Sequence, residues 1–311
     1  MKKNIFVRGF LFLPLAFFCL IAATALFSCG QKGADSKGLP AFTLKNGIPV
    51  YCKSVDSTRM ASVLICVRGG SMGFSREYSG IERELFELMS RGGKNHSYDD
   101  LLLLDNDKNI SLGHSELDLG SYMSLSCLSS YFEEGLSALL DCFLNPSFDQ
   151  TQFDNMMTEC DQSLQRMQAD PEKLLFYTMN KEIYKDHPLS TSASVLPESR
   201  QNITMENLKA HYKKILDAKR IFVVAAGDVN LRKLKRALEK TLGNLPSLEA
   251  DFSIPETPDF DISGQTLSLK SPALEKGSGH IALVFKSPSF YSKDLAAARL
   301  AASMYDESLF N

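Results

Sequence analysis

The stretch GIERELFELMSRGG, Gly80 to Gly93, decides how the rest of the chain is read. Its apolar residues Ile81, Leu85, Phe86, Leu88 and Met89 recur at helical spacing, which predicts a buried helix closing on the Gly92-Gly93 pair. An apolar strand, Ala61 to Val67 (ASVLICV), comes before it, and a turn-rich loop from Arg68 to Ser79 joins the two. A loop and a short helix over Ser97–Leu104 are predicted to follow.

Working outward, Phe42 to Cys52 (FTLKNGIPVYC) predicts a hairpin, because two apolar runs flank Asn46-Gly47, the strongest short turn signal. Beyond the motif helix, Ile110–Leu119 and Ser121–Leu128 alternate as two antiparallel strands. Ser129 or Ser130 is then placed to cap a helix through Phe132, Leu136, Leu139, Leu140 and Phe143. A long helix from about Asp149 to Gln168 must stop before Asp170-Pro171, where helical geometry is disfavoured. Another helix runs to Tyr184 and His187-Pro188 breaks the chain. Thr204 caps a helix over Met205–Leu216, Arg220–Val229 reads as a strand, and Asn230 caps a helix over Leu231–Leu242. Strands first, a helical middle, then a strand and a helix predict an α+β layer architecture.

The Gly80–Gly93 helix resembles the signature helix of the pitrilysin/insulinase family of zinc peptidases, roughly GxAHxxEHMxxxGT, the inverted zinc motif in which two histidines and a glutamate base share one face. In such a motif two imidazoles one turn apart hold zinc with an open position for water, and the glutamate takes the water's proton. Aligned without a gap, the flanking glycines fall on Gly80 and Gly92, the first histidine on Arg83, the glutamate on Phe86 and the second histidine on Glu87. A slip of one residue puts Glu84, Glu87 and Leu88 there instead. Neither register contains a histidine. The scaffold of the catalytic helix is present without its metal ligands, so no zinc and no catalytic residue is expected.

Further fragments resemble the family in order along the chain: Arg68-Gly69-Gly70-Ser71, Gly93-Lys94 with Ser97–Leu101, Asp118 through Tyr122, and Asn145-Pro146-Ser147-Phe148. Asp170-Pro171, His187-Pro188-Leu189, Ile203-Thr204 and Gly227-Asp228-Val229 continue the series. The resemblance implies an insulinase-like layer of antiparallel sheet packed by helices. It also implies a third ligand position on the long helix, which falls on Glu159 within MMTECDQ. Three readings of Glu159 stand open: a charge pair with Arg83 in place of zinc, simple surface exposure, or part of an oxygen-rich metal site.

Met1 to Ser28 reads as a secretory signal, with Lys2, Lys3 and Arg8 in its charged region and a nearly unbroken apolar run from Phe10 to Phe27. Cys29 directly follows Ser28 and resembles the lipidated cysteine of a bacterial lipobox with a loose consensus. The alternative is an uncleaved membrane helix, since roughly eighteen apolar residues can span a bilayer. On the first reading the chain is exported and lipid-anchored to the cell membrane or outer membrane, with residues 29–40 as a polar tether. Residues 41–245 then form the first insulinase-like repeat and 246–263 a linker rich in Pro, Asp and Ser. Residues 264–311 resemble the start of a second, truncated repeat, with strands over Gln265–Lys270 and His280–Lys286 and a helix over Leu295–Tyr305.

Hydrophobic content of 44% and charged content of 23% fit a folded body. The formal charge of −3 becomes −6 once Lys2, Lys3 and Arg8 are removed, which argues against nucleic acid as a partner. Beyond Cys19 and Cys29, the cysteines at 52, 66, 127, 142 and 160 are scattered singly in apolar segments and read as buried thiols. His96, His114, His187, His211 and His280 form no i, i+4 pair and read as solvent-facing or capping residues. Ser121, Ser124 and Ser126 share a strand face with no base nearby in sequence, and no glycine-rich phosphate loop is present.

Three functions remain. The first is a non-catalytic family member that binds extended peptides or joins a catalytic insulinase-like partner chain. The second is an active metal-dependent endopeptidase with an atypical site around Glu84, Glu87 and Glu159, a donor set suited to hard ions. The third is a structural lipoprotein or the product of a truncated pseudogene.

Overall fold

The computed structural model describes residues 41–248 apart from 56, 186 and 191–193, and beyond them 264, 266–268, 270 and 279–310. The signal, the tether and most of the linker lie outside the described residues. Among the described residues no helix is long and apolar enough to cross a membrane.

A six-stranded sheet organises the body, in the order β1-β2-β6-β3-β5-β4. Its members are β1 (Ala41–Thr43), β2 (Pro49–Ser54), β3 (Met60–Arg68), β4 (Ser111–Leu117), β5 (Gly120–Leu128) and β6 (Ile221–Gly227). The hairpin forms where Asn46-Gly47 predicts it: Gly47 takes φ +94°, which a side chain would resist, and the Asn46 amide donates to the Leu242 and Leu245 carbonyls. All neighbours are antiparallel except β2 and β6, which run parallel, Val50 opposite Val223. The last strand in sequence therefore enters the middle of the sheet, between β2 and β3.

Alternation then sets one buried face. Val63 on β3 lies opposite Leu125 on β5 and Ala225 on β6, and all three are almost fully buried. Among the described residues the α-helices that carry the rest of the architecture are α1 (Ile81–Ser90), α2 (Tyr98–Lys108), α3 (Phe132–Leu144), α4 (Gln150–Ala169), α5 (Pro171–Tyr184), α6 (Met205–Ile215) and α7 (Leu231–Lys240). Leu85, Phe86, Leu88 and Met89 of α1 join Leu139 and Phe143 of α3 in the core against that face. Burying a side chain of this size stabilises the fold by about 1.5–3 kcal/mol. The fold is thus the α+β layer architecture expected.

Side-chain caps fix most helix starts: Ser97 and Asp100 form a capping box on α2, and Asp149, Asp170, Thr204 and Asn230 accept first-turn amides of α4 to α7. The expected cap from Ser129 or Ser130 does not form. A 3-10 turn over Ser129–Tyr131 leads into α3 instead, with Glu133 and Glu134 placed favourably at the positive end of the helix dipole. The cysteines at 52, 66, 127, 142 and 160 are all free and buried. Burial pushes the Cys66 thiol up to about 12, which suits an inert packing role.

The C-terminal stretch differs from expectation. His280–Lys286 forms no strand, and Ile281 and Phe285 are 83% and 72% exposed. A lone extended segment leaves its backbone groups to solvent, and no ladder partner exists for it among the described residues. Positions 266–268 and 270 likewise carry no regular structure. The final helix does form, as α8 (Leu295–Phe310).

Candidate functional site

The motif helix begins at Gly80, where φ is +84° and a Cβ would stand 2.5 Å from the Val195 nitrogen, so only glycine fits. Segment 194–196 thereby lies against the start of α1. With α4 it frames a cleft of about 280 Å3, whose lining includes Arg83, Glu84, Glu87, Met156, Glu159 and Val195.

The positions matching the zinc motif have separate fates. Phe86 is fully buried, as is Leu88 of the alternative register. Arg83 is exposed and donates to the Ser194 hydroxyl over 3.0 Å. Glu87 is half-buried and faces two cations. Its Oε1 accepts from Arg91 Nε at 2.7 Å, and its Oε2 meets His114 Nε2 at 2.8 Å. Arg91 also donates from its second nitrogen to Glu159 at 2.6 Å. One guanidinium thus ties the second-ligand position on α1 to the third-ligand position on α4.

That arrangement corrects the expected pairing of Glu159 with Arg83. Arg91 stands one turn beyond Glu87 at the end of α1, within reach of both carboxylates, whereas Arg83 lies at the other end, beside Ser194. The Glu159 side chain is 62% exposed, so exposure and pairing both describe it.

The histidines are also corrected. His114 alternates inward with Leu112 and Glu116 on β4, its Nδ1 2.8 Å from Glu116 and its Nε2 on Glu87. Burial disfavours its charge, but the two carboxylates outweigh burial and hold the imidazole up at about 9. The hydrogen bond from His114, helped by Arg91 against the effect of burial, holds Glu87 down at about 2. His211 Nε2 sits 3.1 Å from the buried Glu82, and His96 Nδ1 sits 3.1 Å from Asp141. Of the five, His187 accepts from a backbone amide, that of Leu189, and His280 is exposed, as expected.

Glu82 gathers a second network. It accepts from the Gly70 amide at 3.1 Å and from the Ser121 hydroxyl, so the loop after β3 is fastened to α1. Burial alone would raise the Glu82 pKa, but His211, Ser121 and the nearby Arg220 guanidinium bring it below the usual range. The Ser121 proton is directed at a carboxylate inside the core, which makes no nucleophile.

Zinc does not fit the residues present. The general-base position holds a core phenylalanine, no imidazole stands at either helical position, and the carboxylates of Glu87 and Glu159 are engaged by Arg91. Among the described residues no group of three His, Cys, Asp or Glu side chains is arranged to hold a metal ion. Arg91 and the inward role of His114 escaped sequence reasoning, whereas Glu84 was a candidate, as a motif position and as part of an atypical metal site, and not as an isolated acid. The inward alternation of Leu112, His114 and Glu116 was the available signal for His114, whereas Arg91 reaches across 68 residues to Glu159 with no local mark.

Residues 202–310 match the family model described as the peptidase M16 inactive domain. The non-peptidase homolog YmxG of Helicobacter pylori is 24% identical over 248 residues, 80% of this chain and 56% of its own. The mitochondrial-processing peptidase subunit beta of Blastocladiella emersonii is 22% identical over 274 residues, 86% of this chain and 57% of its own. Among solved structures, a peptidase M16 inactive domain from Pseudomonas fluorescens superposes with a TM-score of 0.64 at 17% identity, covering 71% of this chain and 54% of that one. The chain spans about half the length of each of these three.

Proposed function

As an inactive member of the pitrilysin/insulinase family, M16, this chain acts, we propose, as a lipid-anchored subunit that holds an extended peptide without cleaving it. One observation carries the proposal: Arg91 occupies the carboxylates of Glu87 and Glu159, where active relatives would carry metal ligands, yet an open cleft persists beside them. A guanidinium supplies a fixed positive charge but no exchangeable coordination site, so it can neutralise the two acids and cannot activate water. What the cleft keeps is shape and hydrogen-bonding capacity.

A catalytic partner chain is the natural complement, because the relative from Blastocladiella emersonii is named as one subunit of a processing peptidase. The anchoring part of the proposal rests on Cys29 and the apolar run before it. Fatty-acid labelling should mark the wild type and spare Cys29→Ser; equal labelling of both would remove the anchor. The holding role is tested by incubating the purified chain with a mixture of unstructured peptides, then analysing bound and free fractions by mass spectrometry. Peptides recovered bound and intact support it. New termini whose formation a chelator stops would restore the active-peptidase reading.

A further inference from the structure

Glu84 is 6% exposed, borders the cleft, and makes no hydrogen bond or ion pair among the described residues. Neighbouring cations are already engaged. Arg91 serves Glu87 and Glu159, His114 serves Glu87 and Glu116, and Arg200 serves Asp161 at 2.8 Å. Arg83, its neighbour on α1, favours the charged form of Glu84 through space but spends its hydrogen bond on Ser194. A carboxyl taken out of water without a partner is costly, and proteins keep one where something else completes it.

We propose that the cleft between α1 and α4 is a subsite for a lysine or arginine side chain of a bound peptide, with Glu84 as its counter-ion. This rests on the peptide-holding role above. The walls suit such a side chain. Met156 and Val195 are buried apolar surfaces for the methylene stem, and Ser163 and Gln162 offer neutral polar atoms beside the charged head. Two guanidinium groups, Arg83 and the exposed Arg166, line the same cleft, so the incoming cation must be carried past them on a stem of several carbons. A compact cation or a free amino terminus lacks that reach. Burial pushes the Glu84 carboxyl up to about 7, so a proton can neutralise it in place of a ligand's charge.

The test uses the full chain and fluorescein-labelled dodecapeptides of alanine and serine with one central lysine, arginine or norleucine, read by fluorescence anisotropy. Lysine and arginine peptides should bind roughly tenfold or more tighter than the norleucine peptide, the scale of one charged hydrogen bond. Glu84→Gln, which keeps the shape, should reduce them to the norleucine level and leave norleucine binding unchanged. Binding of all three peptides with equal affinity overturns the subsite and leaves the holding role intact. A preference that survives in Glu84→Gln overturns the assignment to Glu84. Failure of every peptide to bind overturns both the subsite and the holding role.

Discussion

Replacing Glu84 by glutamine should make the protein more stable, and by an amount that grows with pH. Burial raises the Glu84 carboxyl from 4.5 to about 7, so the folded state holds its proton where the unfolded chain has lost it. Between those values the unfolded state binds fewer protons, and stability must fall as pH rises. The full shift corresponds to about 3 kcal/mol, of which about 2.5 kcal/mol develops between pH 5 and pH 8. Glutamine preserves size and cannot ionise, so whatever its amide costs is the same at both pH values. Urea denaturation of both proteins at pH 5 and pH 8 isolates the difference. The midpoint advantage of Glu84→Gln should grow by about 1 M urea across that interval, taking a slope of about 2–3 kcal/mol/M. An advantage that stays constant from pH 5 to pH 8 would show that Glu84 is solvated or paired, and the isolation of this acid would be wrong.

Arg91→Ala should destabilise the fold by about 2 kcal/mol in urea denaturation, because it leaves the half-buried Glu87 with His114 alone; Glu159→Gln, at an exposed carboxylate, should cost about 0.5 kcal/mol or less. Equal losses would place the pair's weight on Glu159 instead. An NMR titration of His114 should give a midpoint near 9. Since that folded value lies above the unfolded one of about 6.5, the stabilisation is complete below pH 6.5 and is lost as pH rises through 9. His114→Asn should therefore cost most at pH 6 and little at pH 10, and a midpoint near 6.5 would refute the double carboxylate contact. Gly80→Ala should cost about 2 kcal/mol or more, from a positive φ and a close backbone approach; a neutral result would mean segment 194–196 does not press on α1.

Local signals were legible in the sequence because their physics is local. The hairpin at Asn46-Gly47, the helix after Gly80 and the caps at Thr204 and Asn230 each depend on a few neighbouring residues. The insertion of β6 between β2 and β3 was not legible. Ile221–Gly227 reads as a buried strand from composition, but its choice of partners is made by contacts spanning more than 150 residues. The same limit applies at the site. The absence of histidine from α1 is plain in the sequence, whereas the replacement charge comes from Arg91 and not Arg83, because reach depends on where α4 lies relative to the end of α1. His280–Lys286 alternates like a strand and is none, since alternation records a preference that only a neighbouring edge can satisfy.

The positions of α1 and α4 that match the zinc ligands of the resembled family hold a charge bridge, Glu87–Arg91–Glu159, which leaves no place for the metal. Elemental analysis tests it most directly. The full chain, produced in zinc-supplemented medium and dialysed against zinc-free buffer, is predicted to carry far less than stoichiometric zinc. Stoichiometric zinc that survives dialysis and disappears in Glu87→Gln would contradict the account.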